Sequence, residues 1–424
     1  MAALTETFVP ARLGTAFRWL LASSWSTNLG DGVAMAAGPL LVASLTPDPL
    51  LVALAAGLRW APPLLFGLWA GVLSDRMDRR RIIVVADSSR VVVLVAMVTL
   101  MVTGTMTVGA ALLGLGLIAT AEVFADNTSQ TLLPMLVGRD DLALANARLQ
   151  TGFLTLNQLA GPPIGATLFA AGRAWPFATQ AVLVAAGVLL VLRVGVPPHP
   201  RAAGRAASVR HEVAEGFRWV LGHAAVRTLA LTILVFNVTF GAAWSVLVLY
   251  ADQRLGLGAV GFGLLTTASA IGGIGGTAAY GWITRRVSLG DIMRIGLVIE
   301  TLTHLALAAT RSAWFAIVVF VVFGAHAFVW GTTSTTVRQR AVPAELQGRV
   351  GGVYVLAVYG GLVVGSGVGG LLAARYGVTA PFWFAFAGSA LFLVLLWGEL
   401  SRIAHDDPVA AEAPDGDSTG DPAS

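Results

Sequence analysis

Repeated apolar segments dominate this sequence, and each is long enough to cross a lipid bilayer. An apolar run of about 20 residues has the length of a transmembrane helix. Hydrophobic residues make up 56% of the 424 residues and charged residues only 12%, whereas soluble domains carry about 25% charged residues. A soluble fold of this composition would expose a large apolar surface to water. The sequence therefore predicts an all-α membrane protein that crosses the bilayer many times.

The apolar segments predict twelve transmembrane helices in two pseudo-symmetric groups of six. Their approximate bounds are 17–45, 49–73, 80–103, 107–137, 143–172, 175–195, 225–251, 258–284, 290–309, 312–337, 347–375 and 378–402. The longest connection falls between the sixth and seventh helices. The expected regions are an N-terminal six-helix half (1–195), a cytoplasmic central loop (196–224), a C-terminal six-helix half (225–402) and a disordered cytoplasmic tail (403–424).

The basic residues are all arginines, and most of them lie in connections on one side of the predicted membrane region. Because positive charge accumulates on the cytoplasmic side, we expect both termini to be cytoplasmic and the protein to lie in the cell (inner or plasma) membrane. The net charge of +4 reflects this topology rather than a nucleic-acid-binding surface. The segment Ser208–Leu221 is amphipathic and is expected to lie on the membrane surface. The sequence contains no cysteine, which excludes disulfides and thiol chemistry.

A run of charges, GVLSDRMDRRR at Gly71–Arg81, separates two apolar segments and is expected at a membrane surface. Its spacing resembles the signature of the loop between helices 2 and 3 in the major facilitator superfamily of secondary transporters. The resemblance implies a twelve-helix fold that alternates access to a central site. It also implies a gate at the cytoplasmic side, formed by Gly71, Asp75, Arg76, Arg79 and Arg80.

In such a gate, Asp75 accepts hydrogen bonds at a helix N-terminus and Gly71 lets helices approach closely. Arg76, Arg79 and Arg80 bridge to carboxylates of the other half. The alternative is that these arginines only anchor the loop on the cytoplasmic side.

Other segments resemble the efflux branch of this superfamily, which includes siderophore and macrolide exporters. These segments are Leu29–Gly32, Asp87–Arg90, Leu133–Val137 and Ala145–Asn146. The motif at Gly161, Pro162 and Gly165 resembles the end of the antiporter signature of helix 5, although Ala166 replaces its final glycine. The resemblance implies proton-coupled efflux of small amphipathic compounds.

Acidic side chains within the apolar segments are candidates for proton coupling. Asp31 lies midway along the first predicted helix, where a carboxylate is costly unless it is paired or protonated. Glu122 and Asp126 are four residues apart and share one helix face, and Arg59 and Arg90 are the candidate counter-charges. The alternative is a static set of ion pairs, in which Asp31 has a structural partner and Asp87 pairs with Arg90.

Amides and aromatic residues on the first, fifth and seventh helices are candidates for contact with substrate, because these helices line the central cavity in the superfamily. They are Asn28, Asn157, Gln158, Asn237, Trp244 and Tyr250. Amides also form hydrogen bonds between helices, and this structural interpretation remains open.

Glu300 and His304 are four residues apart on the ninth predicted helix, and His326 lies on the tenth. A histidine can change its charge near physiological pH. We favour a structural Glu300–His304 pair because the ninth helix is usually peripheral in this fold. No third ligand at suitable spacing joins the two histidines, so no metal site is expected.

The favoured function is a secondary active transporter that exports small amphipathic compounds such as drugs, macrolides or siderophores. The expected partners are a small-molecule substrate, protons and the lipid bilayer, with no cofactor, no nucleic acid and a monomeric state. Two alternatives remain: an importer with the same fold, and a membrane sensor that does not transport. An enzyme is not expected, because no nucleophile–base pair or metal-ligand cluster occurs in a connection.

Overall fold

The computed structural model describes residues 11–195 and 209–398 of the chain. Within those ranges the fold consists of helices and their connections and has no β-strand, which confirms the predicted all-α class for these residues. The predicted tail, the proline-rich start of the central loop and Ser208 lie outside the described residues.

The helices follow one another with short connections. In the N-terminal part they are α1 (Gly14–Leu45), α2 (Pro49–Arg76), α3 (Arg79–Val102), α4 (Val108–Leu136), α5 (Leu142–Gly152, π-helical Phe153–Ala160 and Gly161–Ala171) and α6 (Trp175–Val191). In the C-terminal part they are α7 (Val209–Gly222), α8 (Ala224–Ser245), α9 (Leu247–Gln253), α10 (Ala259–Thr284), α11 (Leu289–Ala309), α12 (Ala313–Ala341), α13 (Gln347–Tyr376) and α14 (Ala380–Leu396). Three short 3₁₀ segments span Ala11–Leu13, Arg139–Asp141 and Ala344–Leu346.

Within the described residues, each predicted transmembrane segment overlaps one of these helices or a continuous run of them, and the end of the segment 378–402 lies outside those residues. In the described part of the chain, nine helices are long and apolar enough to cross a membrane. The helices α6 and α14 are apolar but shorter. The fifth predicted segment is α5, whose middle is π-helical. Pro162 and Pro163 follow that π-helical part and lack backbone N–H donors, which frees carbonyl groups in the preceding turn and favours the irregular ladder.

Glycine faces bring pairs of helices into backbone contact. In the N-terminal part, a Cβ atom on Gly161 would overlap the backbone of Gly32, so α5 lies directly against α1. In the C-terminal part, a Cβ atom on Gly361 would lie 2.8 Å from the Cβ of Asn237, so α13 lies directly against α8. Small residues permit this approach in membrane helices.

The N-terminal and C-terminal helices also contact each other, toward the end of the molecule opposite the α2–α3 connection. There, a Cβ atom on Gly370 of α13 would lie 2.8 Å from the Cβ of Ala53 of α2. A Cβ atom on Gly263 of α10 would lie 2.6 Å from the Cβ of Ala166 of α5. Further along α2 toward the arginine-rich end, which carries the α2–α3 connection, a Cβ atom on Gly71 would meet no atom within 4 Å.

The amphipathic segment forms α7, which packs against α13. Glu215 Oε1 lies 2.7 Å from Arg349 Nη1, and Val220 is buried in the apolar cluster of the C-terminal helices. Phe217 and Leu221 remain about half exposed, at 51% and 49%. The apolar face of α7 is therefore divided between contact with the protein and the outside.

Candidate substrate cavity and charge network

A central cavity of about 340 Å³ lies between the N-terminal and the C-terminal helices. The helices α1, α2, α4, α5 and α6 line one side, and α8, α9, α10, α12 and α13 line the other. This volume falls in the range of small-molecule sites, which starts at about 300 Å³. The two walls differ in chemistry.

The N-terminal wall carries a buried charge network centred on Arg90 of α3. Arg90 Nη2 donates to Asp31 Oδ1 of α1, and Arg90 Nη1 donates to Asp87 Oδ1 at 2.9 Å. Gln180 Nε2 of α6 also donates to Asp31 Oδ1, at 3.1 Å. All four side chains are at most 5% exposed. The network therefore joins three helices, and Asp31 and Gln180 extend it to the cavity surface.

Two further carboxylates extend this network along α4. Glu122 lines the cavity and Asp126, one turn away, is exposed. Both lie close enough to interact electrostatically with Arg90, and Arg59 of α2 acts on Glu122 in the same way. Four carboxylates thus surround two guanidinium groups. Arg90 Nε and Gln180 Oε1 are buried without a hydrogen-bond partner, so the network holds polar groups that this arrangement does not satisfy.

The C-terminal wall is aromatic. Phe240 and Trp244 of α8 have ring centroids 4.4 Å apart, and Trp244 lies 4.6 Å from Phe323 and 5.4 Å from Phe320 of α12. All four residues line the cavity. Such offset aromatic contacts are individually favourable and present a rigid apolar surface.

Gln158 and Trp244 are the predicted substrate residues that line the cavity. The structure places the other three amides elsewhere. The side chains of Asn28 and Asn237 donate to the carbonyls of Ser24 and Ile233 on their own helices, both at 2.7 Å. The side-chain carbonyl of Asn157 accepts from Gln158 Nε2 at 2.7 Å, and Asn157 itself is buried.

Predicted substrate residue Tyr250 is also buried away from the cavity. Its hydroxyl donates to the carbonyl of Leu307 at 2.6 Å. For Tyr250, Asn28 and Asn237, local hydrogen bonding satisfies the polar group, so a location on a cavity-lining helix was not enough to predict a cavity contact.

The helix 5 motif joins the cavity to the helix packing. A Cβ atom on Gly165 would overlap the carbonyl of Val33 of α1, and one on Gly161 would overlap Gly32. On its other side, the carbonyl of Pro162 faces α10, 3.1 Å from a Cβ atom placed on Gly263. The motif therefore holds α5 between α1 and α10. It directly follows the π-helical segment that carries Gln158.

The predicted gate residues lie at the arginine-rich end. Arg79 donates to the carbonyls of Ser74 and Thr131, and Arg80 Nη1 donates to the carbonyl of Val194 at 3.3 Å. Arg76 is exposed. The side chain of Asp75 lies outside the described residues. These hydrogen bonds are made within the N-terminal part, and the bridges to carboxylates of the other half stay a prediction.

Among the described residues, nothing lies within 4 Å of a Cβ atom placed on Gly71, and the close approach expected there stays a prediction. In this conformation the N-terminal and C-terminal helices are in contact toward the opposite end.

Sequence reasoning missed Gln180 and the aromatic residues Phe240, Phe320 and Phe323. Gln180 is a buried polar residue in an otherwise apolar helix, a signal that was present in the sequence. The phenylalanines carry no such signal, because aromatic residues are common on lipid-facing and packing surfaces alike. Among the described residues, no group of three or more His, Asp or Glu side chains is arranged to hold a metal ion.

Long apolar helices with a central cavity between an N-terminal and a C-terminal set are typical of transporters of the major facilitator type. The chain belongs to the transmembrane secretion effector family of that superfamily, whose model matches residues 5–415.

The proteins that this chain resembles in sequence include exporters. The chain is 27% identical over 411 residues to the enterobactin exporter EntS of Salmonella typhimurium, covering 93% of this chain and 95% of the relative. It is 28% identical over 377 residues to the multidrug efflux pump Tap of Mycolicibacterium fortuitum, covering 86% and 90%. A bacterial homologue of the iron transporter ferroportin, solved in an inward-facing state, is similar in fold, with a TM-score of 0.69, 16% identity, and coverage of 91% and 99%. The chain is therefore a multi-pass membrane transporter, and these similar proteins are transporters rather than enzymes.

Proposed function

We propose that this protein is a proton-coupled exporter of small amphipathic compounds that works by alternating access. In this proposal, twelve transmembrane helices form two pseudo-symmetric six-helix halves, 1–195 and 225–402. The segment 196–224 is a cytoplasmic connection and 403–424 a cytoplasmic tail. Both termini face the cytoplasm, and the protein acts as a monomer in the inner or plasma membrane.

The observation that carries the proposal is the contrast between the two walls of the cavity. Asp31, Glu122 and Arg59 present charge on one wall, and Trp244 and Phe323 present an apolar aromatic surface on the other. A compound with an aromatic or apolar body and a polar or charged group can satisfy both walls at once. The similarity to an enterobactin exporter and to a multidrug pump supports export of such compounds.

The excess of carboxylates supports proton coupling. Four carboxylates share two guanidinium groups in a part of the protein that lies within the membrane. Charge imbalance of this kind is costly in a low-dielectric environment, and binding a proton to Asp31, Glu122 or Asp126 reduces it. A cationic substrate group reduces it too. Proton and substrate therefore compete for the same negative charge, which is the requirement for exchange transport.

The contacts between the halves support a state that is open toward the arginine-rich, cytoplasmic end. Gly370 packs on Ala53 and Gly263 packs on Ala166 at the opposite end. Among the described residues nothing lies within 4 Å of a Cβ atom placed on Gly71, and the hydrogen bonds from Arg79 to Thr131 and from Arg80 to Val194 lie within the N-terminal part. We infer that closure of this end brings Gly71 against a helix of the other half, with Asp75 capping a facing helix and Arg76, Arg79 and Arg80 meeting partners across the gate.

The experiment uses everted membrane vesicles, whose interior is acidified by respiration. Ethidium serves as a lipophilic cation and enterobactin as a siderophore. The wild-type protein should accumulate at least one of them inside the vesicles, and a protonophore should abolish the accumulation. The variants Asp31→Asn and Asp126→Asn are compared with Asp140→Asn, which changes an exposed acid at the α4–α5 connection.

Accumulation that fails in Asp31→Asn or Asp126→Asn and persists in Asp140→Asn would support the proposal. Uptake that survives the protonophore, or that survives every acid substitution, would refute proton coupling. Protonophore-sensitive movement in the opposite direction would identify an importer. No movement of either probe in any condition would contradict export of these two compound classes and favour the sensor interpretation.

A further inference from the structure

A second buried polar cluster lies in the C-terminal helices, behind the aromatic wall of the cavity. Glu300 and His304 of α11 are both 0% exposed, and His326 of α12 is 6% exposed. Glu300 Oε1 lies 2.8 Å from His304 Nε2, as expected for the predicted Glu300–His304 pair. The other carboxylate oxygen lies 3.5 Å from His326 Nε2. One carboxylate is thus flanked by imidazoles from two different helices.

This cluster leaves several buried polar atoms without hydrogen-bond partners. They are His304 Nδ1, the neighbouring Trp330 Nε1, and the pair Glu300 Oε2 and His326 Nε2, which face each other at 3.5 Å without forming a hydrogen bond. A buried polar group without a partner costs about 1–3 kcal/mol. A purely structural Glu300–His304 pair does not require further buried polar atoms without partners. A site that binds and releases a proton does, because some of its donors or acceptors are unpaired in one of its two protonation states.

The charges of these three side chains indicate that the cluster binds one proton. One carboxylate with two neutral imidazoles has a net charge of −1, and one added proton makes it neutral. The proton can be held on His304 or on His326, since each faces a different oxygen of Glu300. The two histidines lie on different helices. With the proton on His304, the stronger ion pair of Glu300 lies within α11; with the proton on His326, the stronger ion pair joins α11 to α12.

Among the described residues, the helices around the cluster bring no further charge to Glu300. The helix α14, which packs on α11, carries no titratable side chain in Ala380–Leu396. On α9, Tyr250 donates to the carbonyl of Leu307, and the Arg254 guanidinium bonds to carbonyls at the end of α11. On α12, His326 is the group that faces Glu300. The charges that act on Glu300 are those of the two histidines.

The cluster touches the cavity wall through aromatic rings. The His304 ring stands edge-on to Trp244 with centroids 6.0 Å apart, and His326 stands edge-on to Phe323, also at 6.0 Å. Trp244 and Phe323 both line the cavity. A positively charged imidazole is attracted to an aromatic ring more strongly than a neutral one. A change of charge on either histidine therefore changes the forces on the wall that would contact the substrate.

We propose that Glu300, His304 and His326 form a second proton-binding site, in which one shared proton controls the aromatic wall of the cavity. This inference rests on the proposed function, because it assigns the aromatic wall to substrate binding. The site lies in the opposite half from the Asp31–Arg90 network. Each half then holds a proton-responsive cluster: acidic in the N-terminal half and histidine-based in the C-terminal half.

The test measures tryptophan fluorescence of the purified protein in lipid nanodiscs without substrate, from about pH 8 to about pH 5, where imidazoles change charge. The chain has 12 tryptophans, so the signal of Trp244 is taken as the difference between wild type and Trp244→Phe. Because a protonated imidazole quenches a nearby indole, this difference should follow a single-proton curve. The curve should be absent in His304→Gln and should persist in Asp31→Asn. The curve should be displaced in Glu300→Gln, because this variant lacks the carboxylate that shares the proton.

Nitrogen-15 NMR of histidine-labelled wild-type protein provides a second measurement that does not depend on the folding of any variant. The chain has six histidines, and two buried ones should change protonation together. A fluorescence difference that stays flat, together with buried imidazole signals that keep one tautomer at both pH limits, would overturn the proposal. Neither measurement requires transport, so the two proposals can fail separately. If the protein transports neither probe but shows the shared proton, the proton-binding site stands and the exporter assignment fails.

Discussion

Replacing Arg90 with methionine removes the guanidinium that pairs with both Asp31 and Asp87. Methionine has a similar length and adds no charge, so the packing of α3 changes little. The two carboxylates, each at most 5% exposed, would then share no counter-charge in direct contact. Removing one partner of a buried ion pair costs about 3–5 kcal/mol. Because two carboxylates lose their partner here, we expect the upper end of this range, or more than about a thousandfold in the unfolding equilibrium.

Equilibrium unfolding of the purified protein by increasing SDS in mixed micelles measures this loss. The double variant Arg90→Met/Asp31→Asn should recover about half of it, because one of the two unpaired charges is gone and coupled sites are not additive. The matched control is Arg81→Met, an exposed arginine on the same helix, which should change stability by less than about 0.5 kcal/mol. A cost below about 1 kcal/mol for Arg90→Met, or strict additivity in the double variant, would refute the network as a unit.

Three other predictions concern packing, substrate contact and the surface. Gly165→Leu should separate α1 from α5, because even a Cβ atom would overlap Val33. The variant should lose about 1–3 kcal/mol of stability and should no longer transport ethidium. Gly360→Leu, where no described atom lies within 4 Å of an added Cβ, should keep both the stability and the transport activity. Phe323→Ala should weaken ethidium binding by up to about tenfold in a fluorescence titration, since one aromatic contact contributes about 0.5–1.5 kcal/mol; unchanged affinity would remove it from the substrate wall. Glu215→Gln should cost less than about 1 kcal/mol because its ion pair with Arg349 is partly exposed; a larger loss would mean that α7 docking depends on this pair.

The helices could be predicted from the sequence because lipid imposes a single strong rule: each crossing must be a long apolar helix. The bounds of α1 through α4 therefore follow from hydropathy to within a few residues. The π-helical part of α5 could not be predicted in the same way. It depends on how Pro162 and Pro163 are accommodated when Gly161 and Gly165 press against α1, and hydropathy carries no information on that packing.

The charged wall was partly predictable for a related reason. A carboxylate such as Asp31 within an apolar helix is rare enough to mark a site, but the sequence does not say which arginine it meets. Asp31 lies 59 residues from Arg90 in the chain, and only the packing of α6 against both α1 and α3 brings them together. The aromatic wall was missed because Phe320 and Phe323 differ in no local way from phenylalanines that face lipid.

The most direct test of proton-coupled export is the movement of protons driven by substrate in proteoliposomes that contain only this protein. A pH-sensitive dye is enclosed, the interior and exterior start at equal pH, and ethidium or enterobactin is added outside. The account predicts that protons leave as substrate enters, and that this exchange is lost in Asp31→Asn, Glu122→Gln or Asp126→Asn while Asp140→Asn retains it. Substrate entry with no change of internal pH in the wild-type protein, or exchange that survives each of these three substitutions in the charge network, would contradict it.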